Sequence, residues 1–414
     1  MRTSIFALFF LISICVFSQN MWILKPTTTT ENITDIDYVG LGVWYASMEA
    51  GLILKSTNDG ENWQVQTTPV TQHIWSIDFV DMNTGWAVGN DGQIIKTTNG
   101  GLNWVIQAIG AYPRFNEVGF LNYSTGFAVG DDGVINKTTN GGAIWFLQMS
   151  STTNDLYGIS FSQLSGGGGA IVGANGTILR TTDVGGAWTN ISSGTASLYD
   201  VIFRSSAGYA VGVEGGNDII KKSTNAGFSW NTITADFPYM AVDIFFNDES
   251  VGWVVGNNGY IAKTTNGGVS WVNQTTFWTQ NLWGVRFINQ NTGIAVGSAG
   301  YVLKTTNGGE PIGIKQISME IPSDFSLSQN YPNPFNPLTK IHFNIPPLEG
   351  GSGRITSLLI YDILGREVST LVNKQLQPGT YEVSWDGSKF SSGVYFYRLT
   401  AGNYSVIKKM MLIK

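Results

Sequence analysis

The stretch Lys96-Thr97-Thr98-Asn99-Gly100-Gly101-Leu102-Asn103-Trp104 constrains this chain more than any other, because the chain repeats it. Further copies begin at Lys55, Lys137, Arg180, Lys222 and Lys263 and reach Trp63, Trp145, Trp188, Trp230 and Trp271. A last copy, Lys304 to Gly309, stops short of its Trp. The Trp residues are spaced 41, 41, 43, 42 and 41 apart. A fixed period of about 40 residues with strand-like content is the mark of a β-propeller blade.

One period reads as four strands. Trp75-Ser76-Ile77-Asp78-Phe79-Val80 alternates, Gly85-Trp86-Ala87-Val88-Gly89 follows, and Asn90-Asp91-Gly92 offers the positive φ of a tight hairpin. Gln93 to Thr97 forms the third strand and Trp104 to Gln107 the fourth. Middle strands of this type recur at Val43-Trp44, Gly85, Gly126, Ala170, Gly208, Gly252 and Gly293, which makes seven. The seventh period lacks its closing Trp, yet Met21-Trp22-Ile23-Leu24 stands 41 residues before Trp63, where a fourth strand belongs. An N-terminal strand over 21–25 is therefore expected to complete the last blade and remove the open sheet edges. The predicted fold is all-β, a seven-bladed β-propeller followed by a small Ig-like β-sandwich.

The ends carry other signals. Arg2 precedes the apolar run Ile5 to Phe17, and Val16 and Ser18 occupy the −3 and −1 positions before Gln19. This reads as a signal peptide over 1–18, too short to span a bilayer in its own right. The single Cys15 lies inside it, so the mature chain has no disulfide or thiolate chemistry. No later stretch is long and apolar enough to cross a membrane. The net charge of −6, with basic residues scattered singly, gives no case for nucleic acid. The propeller is expected over 19–309 and a linker over 310–322. From 323 to 414 the composition changes, with Asn330-Tyr331-Pro332-Asn333-Pro334-Phe335, then Tyr361-Asp362 to Gly365-Arg366, Trp385-Asp386-Gly387 and Ser392-Gly393-Val394-Tyr395 among short alternating strands.

The turn between the third and fourth strands is S/T-x-N/D-x-G-x-x-W. Its hydroxyl and Asn or Asp side chain can bond nearby backbone N–H groups, its Gly takes a left-handed position, and its Trp packs beneath. It resembles the Asp-box of sialidase-type propellers, a resemblance that implies a structural role away from any active site. The repeat unit as a whole resembles the seven-bladed propellers typified by the photosystem II assembly and stability factors of plants and cyanobacteria. The likeness covers about residues 20 to 309. The assembly role is not carried over, because the chain lacks a clustered arginine patch. The motifs of 323–414 are similar to the type A C-terminal sorting domain of the type IX secretion system. That resemblance implies export across the outer membrane, with the sorting domain's partner being the secretion machinery, and a secreted or surface-held propeller.

No catalytic set stands out. The two histidines, His73 and His342, lie in different domains, which excludes a His-based triad or multi-histidine metal site. A sialidase needs an arginine triad, and the propeller's arginines are Arg114, Arg180, Arg204 and Arg286. Asp78, Glu117 and Asp243 could serve a glycosidase, but nothing singles out a pair. The Asn/Asp-Gly turns offer too few ligands for calcium and fit hairpin chemistry. The repeated cations at Lys55, Lys96, Lys137, Arg180, Lys222, Lys263 and Lys304 read as blade-repeat residues with stems on apolar surface and heads in water. No metal, cofactor or catalytic residue is expected.

What remains is a candidate ligand-binding face. The segments entering the inner strands carry Trp75, Tyr112, Phe115, Tyr157, Tyr199, Tyr239, Phe277, Trp278 and Trp283. Such loops gather at one channel mouth, where exposed aromatics suit glycan stacking or protein contact, although several could instead pack between blades. The expected function is a non-catalytic interaction propeller, binding a protein or glycan, secreted or held at the cell surface. The alternative is a carbohydrate-active hydrolase of sialidase-like architecture.

Overall fold

The computed structural model describes residues 22–109, 113–162, 167–274, 278–309, 315–318, 320–347, 354–388 and 390–414. The chain divides into two compact units, one of Met21–Gly309 and one containing Glu310–Lys414.

The first unit is a β-propeller, and among its described residues the strands pair into seven four-stranded antiparallel sheets. The second sheet sets the pattern with Ile74–Phe79, Gly85–Gly89, Gln93–Thr97 and Val105–Ile109. The turn between its middle strands places Asp91 at φ 56° and Gly92 at φ 66°, the paired positive angles that a two-residue hairpin needs. The seven innermost strands pack side by side, and Ile33–Gly40 of the first sheet also lies against Leu282–Phe287 of the seventh, so the ring closes.

The seventh sheet takes its outer strand from the other end of the chain. Ile23–Lys25 pairs antiparallel with Val302–Lys304. Trp22 sits edge-on to Phe287 at 5.7 Å, the contact that Trp104 makes with Phe79 and Trp271 with Phe246 at about the same distance. Its Nε1 donates to Gln274 Oε1 at 2.8 Å, and Gln274 Nε2 donates to the Gly308 carbonyl inside the truncated repeat. Trp22 thus occupies the place of the missing repeat Trp.

The repeated turn is built as its chemistry requires. In all seven copies the first hydroxyl donates to the Asn or Asp two residues on, at 2.8–3.0 Å. In the second sheet, the Gly101 and Asn103 amides then donate back to Thr97 Oγ1 and Asn99 Oδ1. The repeat lysines depart from expectation. Their heads do not lie free in water but reach the next sheet: Lys55, Lys96 and Lys222 donate to the carbonyls of Gly100, Gly141 and Gly267 at 2.7–2.8 Å. The carbonyl satisfies the ammonium, which also lies over the aromatic ring behind it, as Lys96 Nζ does over Trp86 at 4.8 Å.

In the second unit, Lys315–Ser318, Gly379–Asp386, Leu338–Ile345 and Ser326–Leu327 form one four-stranded sheet. Glu367–Leu376, Arg354–Tyr361, Gly393–Ala401 and Tyr404–Leu412 form another. Alternate residues such as Ile341, Phe343, Val383, Trp385, Tyr397 and Leu399 are buried in a common core. The Asn-Tyr-Pro-Asn-Pro-Phe motif is tied to that core by Asn330, which is buried and donates to Thr339 Oγ1 at 2.9 Å. Its amide donates to the Tyr397 hydroxyl at 2.9 Å, which in turn donates to the Ser328 carbonyl. Among the described residues no helix is long and apolar enough to cross a membrane.

Candidate functional site: a bulged aromatic ring above an acidic channel

Each innermost strand of the propeller opens with a β-bulge. The register slips between Ile33 and Asp35, Ile74 and Ser76, Phe115 and Glu117, Leu156 and Gly158, Leu198 and Asp200, Ala241 and Asp243, and Leu282 and Gly284. The residue left out of the ladder is in turn Thr34, Trp75, Asn116, Tyr157, Tyr199, Val242 and Trp283. A bulge re-aims the side chain it carries. All seven of these are partly or well exposed, while the residue just before each is buried. Because successive strands run in opposite directions, the bulges lie at the same end as the Asn90-Asp91-Gly92 type turns. The repeated hydroxyl–Asn turns lie at the opposite end.

Four of the expected aromatic residues therefore share one structural position. Trp75 Nε1 donates to Asn90 Oδ1 at 2.7 Å, and Trp283 Nε1 donates to Ser298 Oγ at 3.0 Å. Arg114 lies over the Trp75 ring at 5.2 Å and pairs with Asp131 at 3.1 Å. Tyr157 and Tyr199 are neighbours, with ring centroids 6.1 Å apart. Trp283 is 36% exposed and Tyr239, in the preceding loop of its own sheet, 45%. Phe115 does not belong to this face. It is fully buried, one residue before the bulge, and Asn116 stands at the equivalent position, where its Nδ2 donates to Asp131 Oδ1 and to the Leu156 carbonyl. A shift of one residue in a strand turns a side chain to the other surface. Trp278 is partly buried, packed edge-on against Tyr301 at 5.7 Å. Tyr112 and Phe277 lie outside the described residues.

Beyond the bulges, the same strands aim two tiers of side chains into the channel. The upper tier is Asp35, Ser76, Glu117, Gly158, Asp200, Asp243 and Gly284; the lower is Asp37, Asp78, Gly119, Ser160, Ile202, Phe245 and Arg286. Part of the channel is a cavity of about 340 Å³ lined by Asp35, Asp37, Asp78, Glu117, Ser160 and Arg286. These carboxylates bind the next sheet. Asp35 accepts from the Ile77 amide at 3.1 Å, Asp37 from Phe79 at 2.9 Å, Asp78 from Phe120 at 2.6 Å and Glu117 from Ile159 at 3.0 Å. Asp200 and Asp243 do the same for Ile244 and Val285. Where the preceding sheet offers only Gly158 or Gly284, the next aspartate turns its second oxygen to its own following amide: Asp200 to Val201 and Asp35 to Ile36, both at 2.7 Å.

Arg286 is the counter-charge. It stands 3.5 Å from Asp243 and 3.8 Å from Asp35. Burial alone would lower its pKa, but the charges of Asp243, Asp35, Asp200 and Asp37 outweigh burial and raise it. Burial, with Asp37 adding to it, pushes Asp78 up to about 8. Burial brings Asp37 to about 6 against the pull of the Phe79 amide. Glu117 and Asp200 are raised well above the ordinary range, again by burial first. Residues of this kind were invisible as a set to sequence reasoning, although their recurrence in frame with the Trp repeat was the available signal. Among the described residues no three His, Cys, Asp or Glu side chains are grouped so as to hold a metal ion.

Comparison with known proteins follows the same division. Residues 55–145, 103–198 and 221–327, together more than half of the chain, match the family model described as Photosynthesis system II assembly factor YCF48. The chain belongs to this family. Among solved structures, it is similar to YCF48 bound to D1 peptide, with 18% identity, a TM-score of 0.59, and coverage of 70% of this chain and 96% of that one. It is similar to YCF48 from Cyanidioschyzon merolae, with 19% identity, a TM-score of 0.58, and coverage of 69% and 98%. The WD40 propeller domain of Doa1 aligns at 12% identity with a TM-score of 0.55, covering 69% and 96%, so what these YCF48-like structures share with the chain at such identities is the fold. No curated protein sequence matches significantly. Residues 329–414 match the secretion system C-terminal sorting domain. This YCF48-family chain is accordingly a secreted protein, taken to the cell surface by the type IX system through its C-terminal domain.

Proposed function

We propose that the chain is a non-catalytic interaction module: a closed seven-bladed propeller whose bulge face binds a polypeptide partner, with an Ig-like β-sandwich as its export signal. The observation that carries this reading is the shared bulge position of Trp75, Tyr157, Tyr199 and Trp283. Partly exposed rings held in place, as Trp75 and Trp283 are by hydrogen bonds to Asn90 and Ser298, lose little side-chain freedom on binding, which favours their use as anchors. That a related propeller is one bound to D1 peptide supports a peptide rather than a glycan as the ligand class. Against hydrolysis, the channel carboxylates already accept backbone amides from the next sheet, so they serve the ring before they could serve a substrate.

The experiment is an array probe with the full secreted chain, carrying both peptides and glycans, alongside Trp75→Ala and Trp283→Ala. Peptide retention that falls at least ~10-fold in either variant, with chromogenic glycosides left intact, is the expected result. Turnover of a glycoside would overturn it, as would peptide binding indifferent to both substitutions.

A further inference from the structure

The carboxylates that bond sheet to sheet are not spread evenly around the channel. Six of them, Asp35, Asp37, Asp78, Glu117, Asp200 and Asp243, face one another across it, and among the described residues Arg286 alone stands within ion-pair distance of any. The neighbouring Arg204 lies over Phe245 at 4.9 Å and donates to its own Phe203 carbonyl; burial and the charge of Arg286 bring it down to about 10.

Two seams lack the carboxylate bonds: the fourth-to-fifth, where Ser160 accepts from the Phe203 amide in their place, and the seventh-to-first, where no channel side chain does so among the described residues. Between the seventh and first sheets, Gly284 and Arg286 stand where other sheets carry acceptors, and Asp35 and Asp37 bond the amides of Ile36 and Tyr38 next to themselves. What crosses this seam is ionic and apolar, apart from the Ala299 amide donating to Asn32 Oδ1 at 3.0 Å at the rim. Arg286 faces Asp35 at 3.8 Å, Lys304 meets Glu61 at 2.8 Å, and Lys25 meets the same Glu61 at 2.6 Å. Ile294, Val296 and Val302 pack on Ile33, Ile36 and Trp44.

We infer that the channel ring is a proton-dependent clasp: protons held among its carboxylates keep the propeller closed, and their loss opens it first at the seam between the seventh and first sheets. An ionised ring sets six negative charges against one guanidinium in a narrow, poorly solvated space. The resulting repulsion acts on every sheet. The fourth-to-fifth seam, which also lacks a carboxylate–amide bond, is held by Ser160 accepting from the Phe203 amide, whereas among the described residues the seventh-to-first seam shows neither kind of channel bond. Exposed ion pairs such as Lys25–Glu61 add little and weaken with salt.

The sign follows from linkage. Asp37 and Asp78 titrate higher in the folded chain than in the unfolded one, near about 6 and about 8. The folded state therefore binds more protons across that window, and stability present below the ordinary carboxylate range is lost as pH rises through it.

The test uses the full chain at pH 5 and pH 8, with thermal unfolding and amide hydrogen exchange corrected for intrinsic rates. The midpoint should fall by ~5 °C or more between the two. Amides of Ile33–Gly40, Leu282–Phe287 and Ile23–Lys25 should gain exchange at pH 8 by ~10-fold before those of Leu156–Phe161 and Ser197–Arg204. Asp78→Asn keeps an acceptor for the Phe120 amide without the charge and should flatten the pH dependence. Glu117→Gln makes the same test at an independent position, should Asp78→Asn fail to fold. A midpoint that holds or rises toward pH 8 overturns the inference, as does exchange that rises equally at every seam.

Discussion

Trp86 of the second sheet stacks on Phe120 of the third at 3.5 Å, and Trp253 of the sixth on Phe287 of the seventh at the same distance. Tyr45 with Phe79, Phe127 with Phe161 and Tyr209 with Phe246 make the corresponding contact at three further junctions. At the fourth-to-fifth and seventh-to-first junctions the corresponding residues are Ala170 and Ile294. These are also the two junctions where the upper channel tier is glycine, Gly158 or Gly284. Inner bonding and outer stacking lapse together. The fourth-to-fifth junction compensates with Ser160 accepting the Phe203 amide and Ser162 donating to the Ser205 carbonyl, besides the chain running through it. The seventh-to-first junction has no such continuity and relies on the borrowed N-terminal strand. Ring closure in this family member is thus a matter of which junctions are stacked and which are merely bridged.

The largest test of that contrast is the strand itself. Trp22→Ala should cost ~3–5 kcal/mol, as a fully buried aromatic lost from a packed core, and removing 22–25 should abolish cooperative thermal unfolding. An unchanged midpoint in the deletion would break the account of closure. Next, Trp86→Ala at a stacked junction should cost ~3–5 kcal/mol by denaturant titration, whereas Ile294→Val at the bridged one should cost ~1 kcal/mol. Similar losses at both would erase the distinction. Smaller again, Lys96→Met removes a bond to the Gly141 carbonyl and should cost ~1 kcal/mol. Arg180→Met at the fourth-to-fifth junction, where the guanidinium lies on the Phe228 ring, should cost about half of that. Smallest of all, Trp283→Ala should shift stability by ~0.5 kcal/mol or less, since the ring is partly exposed and outside the ladder.

The repeat Trp residues carried most of the architecture, because their spacing is set by how many residues one sheet consumes. The truncated last copy led to Trp22 for the same reason: an unfilled position has to be filled from somewhere. The binding face was less legible. Trp75, Tyr157, Tyr199 and Trp283 could be found as aromatics near strand starts, but only the bulge decides which residue of a pair such as Phe115 and Asn116 faces outward. The channel was missed. Asp35, Glu117, Asp200 and Asp243 look like isolated carboxylates until the sheets are brought into register, and then they are one tier. The lysine heads were misplaced because the carbonyl that receives each one belongs to the next repeat, 45 residues on for Lys55, Lys96 and Lys222.

The bulges have a consequence for how such a protein can change. A residue excluded from the ladder contributes no pairing register and fills no core, so its replacement leaves the sheet behind it intact. Thr34, Trp75, Asn116, Tyr157, Tyr199, Val242 and Trp283 are seven such positions arranged in a circle, each on its own sheet. Their side chains already differ in size, polarity and aromaticity. The circle is in effect a dial with five free settings, on which selection could compose a new specificity one sheet at a time, while Thr34 and Asn116 also hold the next sheet through the carbonyls of Ile74 and Leu156.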